Sequence, residues 1–200
     1  MKDCNDWVSK KQLCDKMSQV DGEKLVLFIL DIDNSKGIFG ESIDSKTLKQ
    51  FLFTFKEVFG TEESYFSQIG RDAFAGLFVC DNNYSLFDIM QQKLSFQSTI
   101  SNNFETPELT TCMGVSIYPD ICKKKEELFS FAYDALFFAK CKGPNSIESS
   151  TSKNMKLKSL YFRKSQLDKL SYYSKKNNHS ESEIIRRALD DYLNKSMYES

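Results

Sequence analysis

Lys24-Leu25-Val26-Leu27-Phe28-Ile29-Leu30-Asp31 is an unbroken apolar run that closes on a carboxylate. So short a run, bounded by charge and rich in branched and aromatic side chains, reads as a strand buried on both faces. Downstream, from 44 to 59, Leu48, Phe51, Leu52, Phe55, Val58 and Phe59 recur at helical spacing, and Gly60 supplies a stop. Two short strands, 65–69 and 74–80, flank Gly70-Arg71-Asp72, which reads as a hairpin turn. A helix is expected over 86–100 and a strand over 111–117, stopped by Pro119-Asp120. A last helix covers 125–141, with Leu128, Phe131, Ala132, Ala135, Leu136 and Ala139 on one face. The order strand, helix, hairpin, helix, strand, helix predicts an α+β fold. Its core is a ferredoxin-like antiparallel sheet with an added helix and a final strand near Ser146.

Composition bounds the rest. The chain has 200 residues, 40% hydrophobic and 28% charged, with 8 Gly and 3 Pro, which excludes collagen-like and low-complexity chains. No apolar run approaches the roughly 18–20 residues of a membrane span. The start, MKDCNDWVSKKQL, lacks the apolar stretch of a signal peptide, so a cytoplasmic location and no membrane partner are expected. Six cysteines without a close-spaced pair, beside the single His179, argue against structural zinc and against a His-dependent hydrolase. The net charge of −1 is a cancellation: residues 1–150 carry 16 Lys/Arg and 22 Asp/Glu, residues 151–200 carry 11 and 6. The step falls in a Ser-rich stretch, which predicts an acidic domain over 1–150, a linker at 151–155 and a small basic domain over 156–197.

In the acidic part, Asp31-Ile32-Asp33-Asn34-Ser35-Lys36 resembles the Asp-x-Asp-x-Phe-Lys run of GGDEF domains, the diguanylate cyclases. Gly70-Arg71-Asp72-Ala73-Phe74 lies on the hairpin where that family carries its signature. Gly114-Val115-Ser116 resembles a family strand, and residues 135–145, Ala-Leu-Phe-Phe-Ala-Lys-Cys-Lys-Gly-Pro-Asn, resemble the family's Ala-Leu-Tyr-x-Ala-Lys-x-x-Gly-Arg-Asn ending. The resemblance spans roughly residues 7–148. It implies Asp31 and Asp72 as metal carboxylates and Lys36 and Lys140 as phosphate contacts, with Arg71 able to add a phosphate fork. The departures are chemical. Ala73 replaces the second signature acid, Arg71 the second signature glycine, and Phe39 and Leu48 the two residues that read guanine. Thr61-Glu62-Glu63-Ser64 occupies the place of the inhibitory Arg-x-x-Asp site. A domain without catalysis is therefore expected. It requires no cofactor, and a nucleotide or cyclic dinucleotide with Mg is the ligand implied.

In the basic part, residues 156–162 alternate and read as a short strand. Ser165 opens a helix, Lys175-Lys176-Asn177-Asn178-His179 breaks it, and Ser180 with Glu183 forms a capping box for a second helix. One strand and two helices in about 40 residues cannot bury their apolar faces alone, so a second copy is expected. The segment resembles ribbon-helix-helix DNA-binding domains through its Ser180-Glu181-Ser182-Glu183-Ile184-Ile185-Arg186-Arg187-Ala188-Leu189 run. That resemblance implies Leu157, Ser159 and Tyr161 as base readers. Lys156, Lys158, Arg163 and Lys164 then meet phosphates, as does the helix start at Ser180, Glu181 and Ser182. A one-residue change of register makes Lys156 and Lys158 the readers.

Taken together, the expectation is a homodimeric, sequence-specific transcriptional regulator on double-stranded DNA, with higher-order pairing open and its GGDEF-like domain a nucleotide sensor or scaffold. Two alternatives stand beside it: an active nucleotidyl cyclase of divergent base specificity held on DNA, and an antitoxin-like protein-binding repressor.

Overall fold

The computed structural model describes residues 7–20, 24–104, 109–150 and 158–198. It divides into two compact units, Met1–Ser152 and Lys153–Ser200.

The first unit is built on the 24–31 run, which forms β1 (Lys24–Ile32), buried at every position. In chain order the unit contains α1 (Lys10–Gln19), β1, α2 (Ser35–Phe39), α3 (Ser45–Phe59), β2 (Ser64–Gln68) and β3 (Ala73–Cys80). It continues with α4 (Leu86–Asn103), β4 (Thr111–Tyr118), a 3-10 turn at Lys125–Glu127, α5 (Leu128–Lys142) and β5 (Ile147–Ser149). The strands lie in the order β2-β3-β1-β4-β5, so β1 is flanked by β3 and β4, both antiparallel to it. The α+β class and the ferredoxin-like order hold, with one correction: β5 runs parallel to β4 and the sheet is mixed. The chain returns from β4 through a helix, and that crossover delivers a parallel strand.

Alternation along β1 separates two cores. Val26, Phe28, Leu30 and Ile32 face one layer with Phe51, Phe55 and Phe59 of α3 and Ile89, Phe96 and Ile100 of α4. That layer is largely phenylalanine, and the Phe28 ring lies 4.6 Å from Phe59 and 5.5 Å from Phe55. Offset and edge-on ring contacts add to the area buried there. On the opposite face α5 packs on β4 and β1, burying Leu128, Ala132, Leu136 and Ala139.

Two helices were not legible in the sequence. α1 has only Leu13 and Met17 as buried residues, too few for a periodic signal. α2 is five residues long, and an Asn34 in the left-handed region (φ 48°) leads into it.

In the second unit, α6 (Lys164–Asn177) and α7 (Glu181–Tyr198) form a helical pair. Asn178, left-handed at φ 54°, ends α6, and Ser180 Oγ accepts from the Glu183 N–H at 3.2 Å as expected. The first cap is corrected: Arg163, not Ser165, precedes α6, and its N–H donates to Gln166 Oε1. The strand expected at 156–162 is described only in part. Lys156, Leu157 and the linker 151–155 lie outside the described residues, and 158–162 form no strand. Leu160 and Phe162 are exposed. A strand needs a hydrogen-bonding neighbour, and a single copy supplies none here.

Candidate functional site

The site lies where β1 ends. Register sets Asp31 opposite Ala73 of β3 and Cys112 of β4, and the Ile32 N–H donates to the Asp72 carbonyl at 3.1 Å. The same alternation that sends Leu30 and Ile32 into the phenylalanine layer turns Asp31 toward α5. There Lys140 Nζ meets Asp31 Oδ1 at 2.7 Å. Asp31 is 5% exposed. Burial pushes its carboxyl up to about 6, against the downward pull of Lys140.

The hairpin turn supplies the second pair. Arg71 Nη2 lies 3.1 Å from Asp72 Oδ2, and Ser35 Oγ donates to that same carboxylate oxygen. Arg71 Nη2 also donates to Ser35 Oγ, and Nη1 donates to the Gly40 carbonyl at 2.7 Å. Arg71 therefore ties the β2–β3 hairpin to both ends of α2. These contacts take three of the five N–H donors of the guanidinium.

Two further groups escaped the sequence reading. Asp33 Oδ2 accepts from Thr110 Oγ1 at 2.7 Å and from the Asn145 N–H at 2.8 Å, binding the β1–α2 turn to the start of β4 and the turn after α5. Lys93 of α4, 1% exposed, donates to Asn145 Oδ1 and to the Asn145 carbonyl. Burial pulls its ammonium down to about 8, with Asp33 opposing. A lysine within the buried stripe Ile89, Lys93, Phe96, Ile100 was the available signal.

The two carboxylates that the resemblance implies as a metal pair already have partners within the chain. Asp31 is held by Lys140, Asp72 by Arg71 and Ser35, and Asp33 by Thr110 and Asn145. Among the described residues no group of three or more His, Cys, Asp or Glu is placed to hold a metal ion. Lys36 is exposed on α2, next to Ser35. Phe39 and Leu48 are partly buried and pack against the phenylalanine layer, so neither offers a polar group to a base. Ala73 is fully buried beside Asp31.

The architecture is similar to that of GGDEF domains. Solved structures bear this out. The chain is similar to the active GGEEF domain of a diguanylate cyclase from Vibrio cholerae at 18% identity, over 68% of this chain and 93% of that one, with a TM-score of 0.55. It is similar to the YfiN GGDEF domain of Pseudomonas aeruginosa at 16% identity over 70% and 94%, with a TM-score of 0.56. The GGDEF domain of DgcB from Caulobacter crescentus, solved in complex with c-di-GMP, matches at 17% identity over 71% and 88%, with a TM-score of 0.54. No protein-family model and no curated protein matches the sequence.

These likenesses correct the expectation of a sequence-specific DNA-binding regulator. The structures that the chain resembles are domains of diguanylate cyclases and their relatives, not DNA-binding proteins. The residues that had been assigned to DNA are exposed where they are described: Lys158, Ser159, Tyr161, Arg163, Lys164, Ser180, Glu181 and Ser182. Their assignment rested on the ribbon arrangement, and 158–162 form no strand. No helix among the described residues is long and apolar enough to cross a membrane.

Proposed function

We propose that the first unit is a cyclic-dinucleotide signalling domain that binds a nucleotide through its phosphates and does not itself cyclise. The observation that carries this reading is Ala73: the fold and both flanking carboxylates are kept, yet a buried methyl stands in place of the second signature acid. Without that carboxylate nothing on β3 can take the proton from an attacking hydroxyl. Lys36, Lys140 and Arg71 are the side chains that would meet phosphate. GTP and c-di-GMP should bind in equilibrium dialysis, and incubation with each NTP plus Mg²⁺ or Mn²⁺ should yield no cyclic product. A cyclic product lost in Asp31→Ala would overturn the silence. Absence of binding by every nucleotide would end the sensor reading.

The second unit supports pairing of two copies. Its helices are well capped, yet Leu167, Tyr173, Leu189, Tyr192 and Leu193 remain exposed, and of its described residues only Tyr198 is buried. A module of this size closes its core by association, and the ribbon-helix-helix arrangement is one in which two copies do so. Sedimentation equilibrium should give a dimer, with Leu189→Asp and Tyr192→Asp together giving a monomer. A monomeric parent chain at tens of micromolar would rule this out.

A further inference from the structure

We propose that this site takes its phosphate ligand without a divalent cation, because Arg71 and Lys140 already neutralise the two carboxylates that a metal would need. This deepens the nucleotide-binding reading and rests on it. Arg71 is held at three points: Gly40 O at 2.7 Å, Ser35 Oγ, and Asp72 Oδ2 at 3.1 Å. It is therefore a positioned cation rather than a free surface arginine. Those contacts use three of the five N–H donors of a guanidinium, and the side chain is 22% exposed, so two donors remain for a phosphate oxygen. Lys140, at 2.7 Å from Asp31, is the second fixed cation.

An incoming dication meets the opposite situation. A hard divalent ion needs several oxygen ligands at short range. Arg71 and Ser35 occupy Oδ2 of Asp72 and Lys140 occupies Oδ1 of Asp31, so an ion reaching the other oxygen of either carboxylate binds an acid whose charge is already paired. Arg71 and Lys140 would then stand beside the ion as like charges. Asp33, the third carboxylate, is committed to Thr110 and Asn145. An arginine at position 71 therefore changes the kind of site this is, from carboxylates that recruit metal to ion pairs that present their own positive charge.

The test uses the full chain and Mn²⁺ alone, followed by the loss of the free-ion electron paramagnetic resonance signal. The parent should take up no Mn²⁺ up to about 1 mM. The double variant Arg71→Gln/Lys140→Gln, with both carboxylates released, should bind Mn²⁺ at least about tenfold more tightly than the parent and lose that binding when Asp31→Asn is added. Uptake by the parent that disappears in Asp72→Asn would overturn the proposal, and so would a folded double variant that still binds nothing. A second measurement does not depend on the double variant folding. Binding of GTP to the parent should change less than about twofold between excess Mg²⁺ and EDTA. GTP that binds only with Mg²⁺ would overturn metal independence while leaving nucleotide binding standing. If GTP binds under neither condition, the nucleotide reading fails, and Mn²⁺ uptake still decides whether the carboxylates are closed to metal.

Discussion

Replacing Gly114 by alanine should destabilise the first unit by about 3–5 kcal/mol, among the larger losses expected of any single methyl in this chain. A Cβ at this position would lie 2.2 Å from the Ala132 carbonyl oxygen and 2.2 Å from the Leu136 nitrogen, both backbone atoms of α5. Backbone atoms inside a hydrogen-bonded helix cannot rotate aside, so the helix must retreat from the strand. Interior packing is close to that of a crystal, and such a retreat opens gaps along the whole α5 contact. The retreat would also carry Lys140 away from Asp31, because both lie on this interface. Two controls give the effect its meaning. At Gly76 the added methyl meets only the tip of the Phe28 ring, at 2.4 Å, and a side chain can shift, so Gly76→Ala should cost less. At Gly40 nothing lies within 4 Å and only the backbone, at φ 70° and ψ −145°, resists a side chain, so Gly40→Ala should cost about 2 kcal/mol. Urea unfolding at constant m-value measures all three. Equal losses at positions 114 and 40 would refute the close-approach account.

Lys140→Met should destabilise the protein by about 2 kcal/mol at neutral pH, and the loss should vanish in acid. The figure is set below the about 3–5 kcal/mol of fully buried broken pairs because Lys140 keeps about a third of its side chain in water. Removing the ammonium leaves a carboxylate that is 5% exposed and without its cation. The sign follows from the raised carboxyl. In the parent, Asp31 titrates at about 6 in the fold against 3.8 as a model group, so the folded state binds the proton more tightly. Its contribution to stability is complete below 3.8 and is lost as pH rises through about 6. Without Lys140 the folded value climbs further, and the loss extends upward into the neutral range. The difference between parent and variant should therefore be absent below about pH 5, open as pH rises through about 6 and grow toward about pH 8. Adding Asp31→Asn to Lys140→Met should remove that pH dependence and recover stability at neutral pH. A difference that stays constant with pH would place the cost in lost packing of the lysine stem instead.

The first unit was largely legible because its signals are local. The 24–31 run, the spacing of Phe51, Phe55 and Phe59, and the turn at Gly70-Arg71-Asp72 each depend on a few neighbours in sequence, and each element formed within a few residues of expectation. The elements that were missed, α1 and α2, carry few apolar residues, so their periodicity was too weak to read. Residues 158–162, the described part of the strand expected at 156–162, show the converse case. Their alternation is local, whereas a strand exists only through a partner.

The site divides along the same line. The residue types of Asp31, Asp72, Lys140 and Ala73 were determined by the sequence alone, and with them the loss of the second signature acid and the family resemblance. What those residues do to one another was decided only by the tertiary structure. Arg71, read as a donor for phosphate, also turns three of its N–H groups inward to Gly40, Ser35 and Asp72. Lys93, read as nothing in particular, is sealed beneath Asn145, which in turn holds Asp33. The physical reason is that pattern reports which face of an element is apolar. The pairing of charges depends on distance and desolvation between segments more than 30 residues apart, and folding alone brings those together.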